Sequence, residues 1–128
     1  MWFVIALSLL YGPYNAKVQS VIDAETLRLE VAVWPGEEKL IEIGVLSVET
    51  PSLDGECDAE KLLAEEAAEL TRAFVGKQVR LTDVRRLKGN DKVYAKIRNI
   101  QGKSLRDSLI ESGYGKPYDK DKKVSWCP

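Results

Sequence analysis

Residues 17–34 read KVQSVIDAETLRLEVAVW, and the spacing of apolar residues in this stretch decides the fold. Val18, Ser20 and Ile22 share one parity, and Leu27, Leu29, Val31 and Val33 share the other. A period of two implies a pair of strands. The short polar run Asp23-Ala24-Glu25-Thr26 between them suits a tight turn, and a turn or bulge there would produce the change of parity. Trp34-Pro35-Gly36 then reads as a second turn. Residues 39–48 form a third expected strand, with Leu40, Glu42, Gly44 and Leu46 on one side and Ile41, Ile43 and Val45 on the other. Glu49-Thr50-Pro51 ends it, because proline has no ladder donor and restrains the residue before it.

Downstream the period changes. Over Asp58–Val75, Leu63, Ala67, Leu70 and Phe74 recur at helical spacing in a segment rich in Ala, Leu and Glu, and Gly76 stands where a C-terminal cap belongs. Val79, Leu81 and Val84 predict a fourth strand. Residues 93–100 predict a fifth, reached through the polar turn Lys88-Gly89-Asn90-Asp91. A short last helix follows, with Ser104 as N-cap, Asp107 three residues on, Leu105, Leu109 and Ile110 as its apolar stripe and Gly113 as its stop. Residues 114–128 read as an irregular polar tail. Three strands, a helix, two strands and a helix predict an α+β chain: a five-stranded Greek-key barrel of the OB type with two or three helices.

With 128 residues the chain has room for one domain, expected over residues 14–128. It contains no histidine and only two cysteines, which excludes a Ser-His-Asp triad, a Cys-His pair, His-ligated zinc and a Cys₄ site. Any catalysis must use carboxylates, Lys, Arg, Tyr or a hard metal ion. Charge is unevenly placed. Residues 49–69 hold eight acids against the single base Lys61, whereas residues 72–128 hold fifteen Lys and Arg against six acids, so the C-terminal half could face a polyanion.

The first ten residues, MWFVIALSLL, are too short for a transmembrane helix, which needs ~20. Residues 1–13 therefore suit either the apolar part of an export signal or an extension packed on the domain. Cys57 and Cys127 suit either a disulfide closing a long loop in an oxidising compartment or two buried thiols. An exported or periplasmic location is the expectation, with a cytoplasmic one left open.

The run Val21-Ile22-Asp23-Ala24-Glu25-Thr26-Leu27, followed by Val48-Glu49-Thr50-Pro51-Ser52, resembles the staphylococcal nuclease (thermonuclease-like) family, whose versions read V-I-D-G-D-T-V/L and V/I-D-T/A-P-E. The resemblance continues through Gly55-Glu56-Cys57, Val79-Arg80-Leu81 and the ending Gly113-Tyr114-Gly115…Pro117-Tyr118-Asp119…Ser125-Trp126-Cys127, which is similar to the tail of exported bacterial members. It covers about residues 16–128. It implies one Ca²⁺ on a phosphodiester, held by two carboxylates and a backbone carbonyl, with a glutamate to activate water and two arginines to stabilise the transition state.

Carried over position by position, the metal ligands become Glu25, Glu49 and the Thr50 carbonyl, with Asp23 as a further oxygen. Both glutamates are a methylene longer than the family's aspartates, which moves each carboxylate by roughly 1.5 Å. The base falls on Ser52, the first arginine on Gly44 and the second on Lys92, which keeps charge but not the bidentate fork. All five side-chain positions depart from the family pattern, so the resemblance implies nuclease ancestry with weak or lost activity. Three functions follow as expectations. The first is a degenerate nuclease-like domain binding DNA or RNA through Arg80, Arg85, Arg86, Lys88, Lys92, Lys96 and Arg98 around Tyr94. The second is a weak phosphodiesterase with Asp23, Glu25, Glu42 and Glu49 rebuilt around Ca²⁺ or another divalent cation, against which Glu42 would point outward and Asp23 satisfy turn amides. The third is a non-catalytic protein-interaction domain using the acidic helix or the N-terminal segment.

Overall fold

The computed structural model describes residues 13–86, 92–122 and 124–128. Residues 1–12 of the apolar segment and the expected turn at 88–91, with Lys88, lie outside the described residues. Strands β1 (Tyr14–Asp23), β2 (Thr26–Trp34) and β3 (Glu37–Val45) form an antiparallel meander, and β5 (Gln78–Arg86) and β6 (Val93–Arg98) complete a closed barrel in the order β1-β2-β3-β6-β5. β6 runs parallel to β3, and all other neighbours in the barrel are antiparallel. Helix α1 (Asp58–Val75) lies between β3 and β5 in the chain, and α2 (Leu105–Glu111) follows β6. This is the α+β, OB-type barrel that the alternation predicts. Its interior is filled by Leu27, Leu29, Ile43, Val45, Leu81 and Ile97, all almost fully buried, as the inward-facing alternate positions of a small barrel require.

Bulges set which residues face inward. The parity change in β1 comes earlier than the turn: the register with β2 slips between Val18 and Ser20 and again between Val21 and Asp23. Val21 therefore packs on the core, while Ile22, expected beside Val18, is 39% exposed. In β5, Asp83 takes a positive φ of 52° at a slip between Thr82 and Arg85, which explains why the apolar sequence steps from Leu81 to Val84.

Three further boundaries differ from expectation. β3 ends at Val45, where its N–H and that of Leu46 donate to Glu25 and Ala95 carbonyls at 2.8 and 2.9 Å. Ser47, with φ 64°, then swings the chain into a separate strand β4 (Val48–Glu49). β6 stops at Arg98, because the Asn99 side chain accepts the Gln101 and Lys103 N–H groups and folds the next residues into a turn. The C-terminal tail is not irregular throughout. β7 (Lys116–Pro117) pairs with β4, Lys116 lies over the Trp126 ring, and Cys127 is disulfide-bonded to Cys57.

α1 begins and ends where expected, capped by the Cys57 sulfur and by Gly76 at φ 58°. Its buried face is rotated from the expected stripe. Ala64, Ala67, Ala68, Thr71 and Val75 are buried, while Leu63, Leu70 and Phe74 flank them half-buried. Small side chains let the helix backbone come close to the barrel, and the larger ones fill the two sides. The completely buried Thr71 hydroxyl donates to the Ala24 carbonyl at 2.8 Å and ties α1 to the β1–β2 turn. Thr71→Val keeps the volume but leaves that carbonyl without its donor, and is expected to lower the free energy of unfolding in urea by about 1–3 kcal/mol.

Candidate functional site: an acidic cleft at one end of the barrel

The β1–β2 turn carries Asp23 and Glu25 to the same end of the barrel as the close of β3 and the start of β6. Asp23, Glu25, Glu42, Gly44, Glu49, Lys92 and Tyr94 consequently line one cleft of about 720 Å³, with Val48 and Tyr118. Positions separated by up to 95 places in the sequence thus come together. Ser52 does not join them. Its N–H donates to Glu60 at 3.0 Å and its hydroxyl accepts the Asp54 N–H at 3.1 Å, so it serves its own loop.

Each acid has a distinct environment. Asp23 accepts the Glu25 N–H at 3.0 Å and so closes the turn amide. Glu42 faces Arg28 across the β2–β3 ladder and accepts from its guanidinium at 2.9 Å on the exposed surface. Glu25 is partly buried. Burial first, then the charges of Asp23 and Glu49, push its carboxyl up to about 7, against the opposing pull of the Thr50 side chain and Lys92. Thr50 is buried, and its side chain is the stronger of the two groups that pull the Glu25 pKa down.

Tyr94 stands beside Gly44 in the parallel β3–β6 ladder. A Cβ placed on Gly44 would lie only 2.8 Å from Tyr94 Cε1 and 2.9 Å from Cδ1. No side chain longer than hydrogen fits at position 44 unless that ring moves. Nor does the site as arranged fit the Ca²⁺ that the nuclease resemblance implies. Among the described residues no three Asp, Glu, Cys or His side chains are grouped to hold a metal ion.

The basic positions lie elsewhere. Arg80, Arg85, Arg86 and Lys96 are exposed on β5 and β6. Arg85 grips Asp83 through two hydrogen bonds of 3.0 Å, and Lys96 stands 3.7 Å from the same carboxylate, which these cations hold below its ordinary pKa. Two contributors escaped the sequence reading. Tyr118 reaches the cleft because its N–H donates to Ser47 O at 3.2 Å, and only the Pro-Tyr-Asp ending hinted at it. Glu60 accepts the Ser52 and Glu56 N–H groups, which lower its pKa and shape the loop between them. Nothing short of the folded loop could have singled it out among the acids of α1. Among the described residues no helix is long and apolar enough to cross a membrane. No protein-family model and no curated protein matches this chain.

Proposed function

We propose that this chain is a thermonuclease-like barrel whose hydrolytic site has been dismantled, and that it holds single-stranded DNA or RNA without cutting it. The observation that carries this reading is the Tyr94 ring seated on Gly44. It crowds the place where the Cβ of any side chain at position 44 would sit, so the arginine that the resemblance calls for would require that ring to move. Support also comes from Ser52, which is turned to its own loop where the resemblance calls for a base.

Charge indicates where the strand lies. The cleft sets Asp23, Glu49 and the Glu25 carboxyl, raised to about 7, against Lys92, with Glu42 paired to Arg28, a balance that gives phosphate no net attraction. The outer surface of β5 and β6 presents arginine and lysine and adjoins Tyr94, which offers one stacking face. The Cys57–Cys127 disulfide favours an oxidising compartment and hence export.

The test uses the full chain with labelled single-stranded DNA and RNA in Ca²⁺, Mg²⁺, Mn²⁺ or chelator, following anisotropy and strand length together. Binding that weakens steeply with salt, with the strand uncut in all four conditions, is the expected result. Metal-dependent cleavage lost in Glu49→Ala would overturn it in favour of a rebuilt phosphodiesterase. Absence of binding would leave a protein-interaction domain as the better reading.

A further inference from the structure

At the end of the barrel remote from the cleft, β5 begins and β6 finishes with two arginines directly opposite each other. Arg80 and Arg98 are antiparallel partners in the ladder, both exposed, which places their Cβ atoms roughly 5 Å apart. Like charges in that position oppose strand pairing. Neither guanidinium forms an ion pair with an acid among the described residues. Both line a groove of about 340 Å³ with Asn15, Gln78, Asn99 and Gly102, and no carboxylate lines it.

The groove is organised in advance. Arg98 Nη1 donates to the Gly102 carbonyl at 3.0 Å. That carbonyl is held by the turn in which Asn99 Oδ1 accepts two backbone N–H groups, Gly102 N donates back to Asn99 O at 2.9 Å, and Gly102 takes φ 82°. Arg98 is therefore aimed by a rigid turn, with donors left over, beside a second guanidinium and two side-chain amides. Two planar forks and neutral donors, with no competing acid, match the oxygens of a phosphate group. Ile100, 82% exposed on the groove's rim, offers an apolar surface beside it.

We propose that Arg80 and Arg98 form a phosphate site that takes one phosphodiester of a bound single strand, at the opposite end of the barrel from the cleft. Tyr94, Lys96 and Arg98 occupy alternate positions of β6, so the site lies about 13 Å along the strand from the Tyr94 ring. The nucleic acid then runs along β6 from the arginine pair toward the mouth of the cleft. The choice of ligand rests on the function proposed above, whereas the phosphate site rests on the arginine pair alone.

Two measurements on the full chain separate these. Single-stranded oligonucleotide binding is compared in wild type, Arg80→Gln, Arg98→Gln, the double variant and Arg72→Gln on α1, and thermal unfolding of the same proteins is followed with inorganic tripolyphosphate. Each single groove variant is expected to weaken oligonucleotide binding by about tenfold and to reduce the salt slope by about 0.7, while Arg72→Gln leaves both unchanged. Tripolyphosphate should raise the melting temperature of wild type but not of the double variant. Oligonucleotide binding unaffected by the double variant overturns this site and leaves the proposed function standing. Arginine-dependent stabilisation by tripolyphosphate without oligonucleotide binding overturns the proposed function and the ligand but retains the phosphate site. Loss of both signals in wild type overturns both.

Discussion

Cys127→Ser is expected to lower the free energy of unfolding by roughly 4 kcal/mol, because it releases a crosslink spanning 70 residues from the unfolded chain. The folded side of the change is equally specific. The disulfide is the covalent link between the C-terminal segment and α1, and the Cys57 sulfur also accepts the Glu60 N–H at the helix N-terminus. Cys57→Ser is expected to match Cys127→Ser, since the new serine hydroxyl can still cap the helix and both variants lose the crosslink. Near-equal losses in the two variants, matched by wild type in a thiol reductant, are the expected pattern in urea unfolding. A loss below about 1 kcal/mol on reduction would show that the crosslink does not constrain the unfolded chain. Reduction should also loosen the placement of Tyr118, which is anchored between β7 and the Cys127 attachment.

Glu25→Gln is expected to make the protein more stable at pH 8 by about 3 kcal/mol and to have no effect near pH 4. The sign follows from a carboxyl whose folded pKa stands above its unfolded one. The folded state binds the extra proton, so its stabilising contribution is complete below about pH 4.5 and is lost as pH rises through about 7. Burial is the main cause, with Asp23 and Glu49 adding repulsion. The neutral amide removes all three while keeping the shape that meets Thr50. Urea midpoints of the two proteins should converge in acid and separate toward neutral pH. A pH-independent difference would mean that the carboxyl is well solvated. Stabilisation of wild type by millimolar Ca²⁺, absent in Glu25→Gln, would mean that the cleft accepts an ion after all.

Much of the barrel was legible because its strands are half-buried and alternate, and because Gly36, Gly76 and Ser104 stand at the points where a turn or a cap needs them. The bulges were not. The slips at Val18–Ser20 and Val21–Asp23 leave no mark in composition, yet Ile22 between them is turned out to solvent. The buried face of α1 is not legible in the periodicity, which weights large residues, because a helix held closely against a barrel buries its alanines instead. At the candidate site, the convergence of Asp23, Glu25 and Glu49 could be expected from two short motifs, and that of Gly44 and Lys92 from the arginine positions that the resemblance assigns to them. The obstruction of Gly44 by Tyr94 could not, since it depends on a parallel register between residues fifty apart.

That parallel register also governs how the chain is made. The β1–β2–β3 meander joins neighbours in sequence and can form as soon as Val45 has emerged, but β3 must wait for β6 and β1 for β5. At ordinary translation rates the stretch from Val45 to Arg98 takes roughly 3–10 s to synthesise. During that interval a nascent chain displays two unpaired apolar edges, Ile41–Ile43–Val45 on one side and Ala16–Val18 on the other, each a template for pairing with a second copy. A chaperone that shields those edges until residue 98 is available is therefore expected to raise the yield of folded protein without touching its final stability.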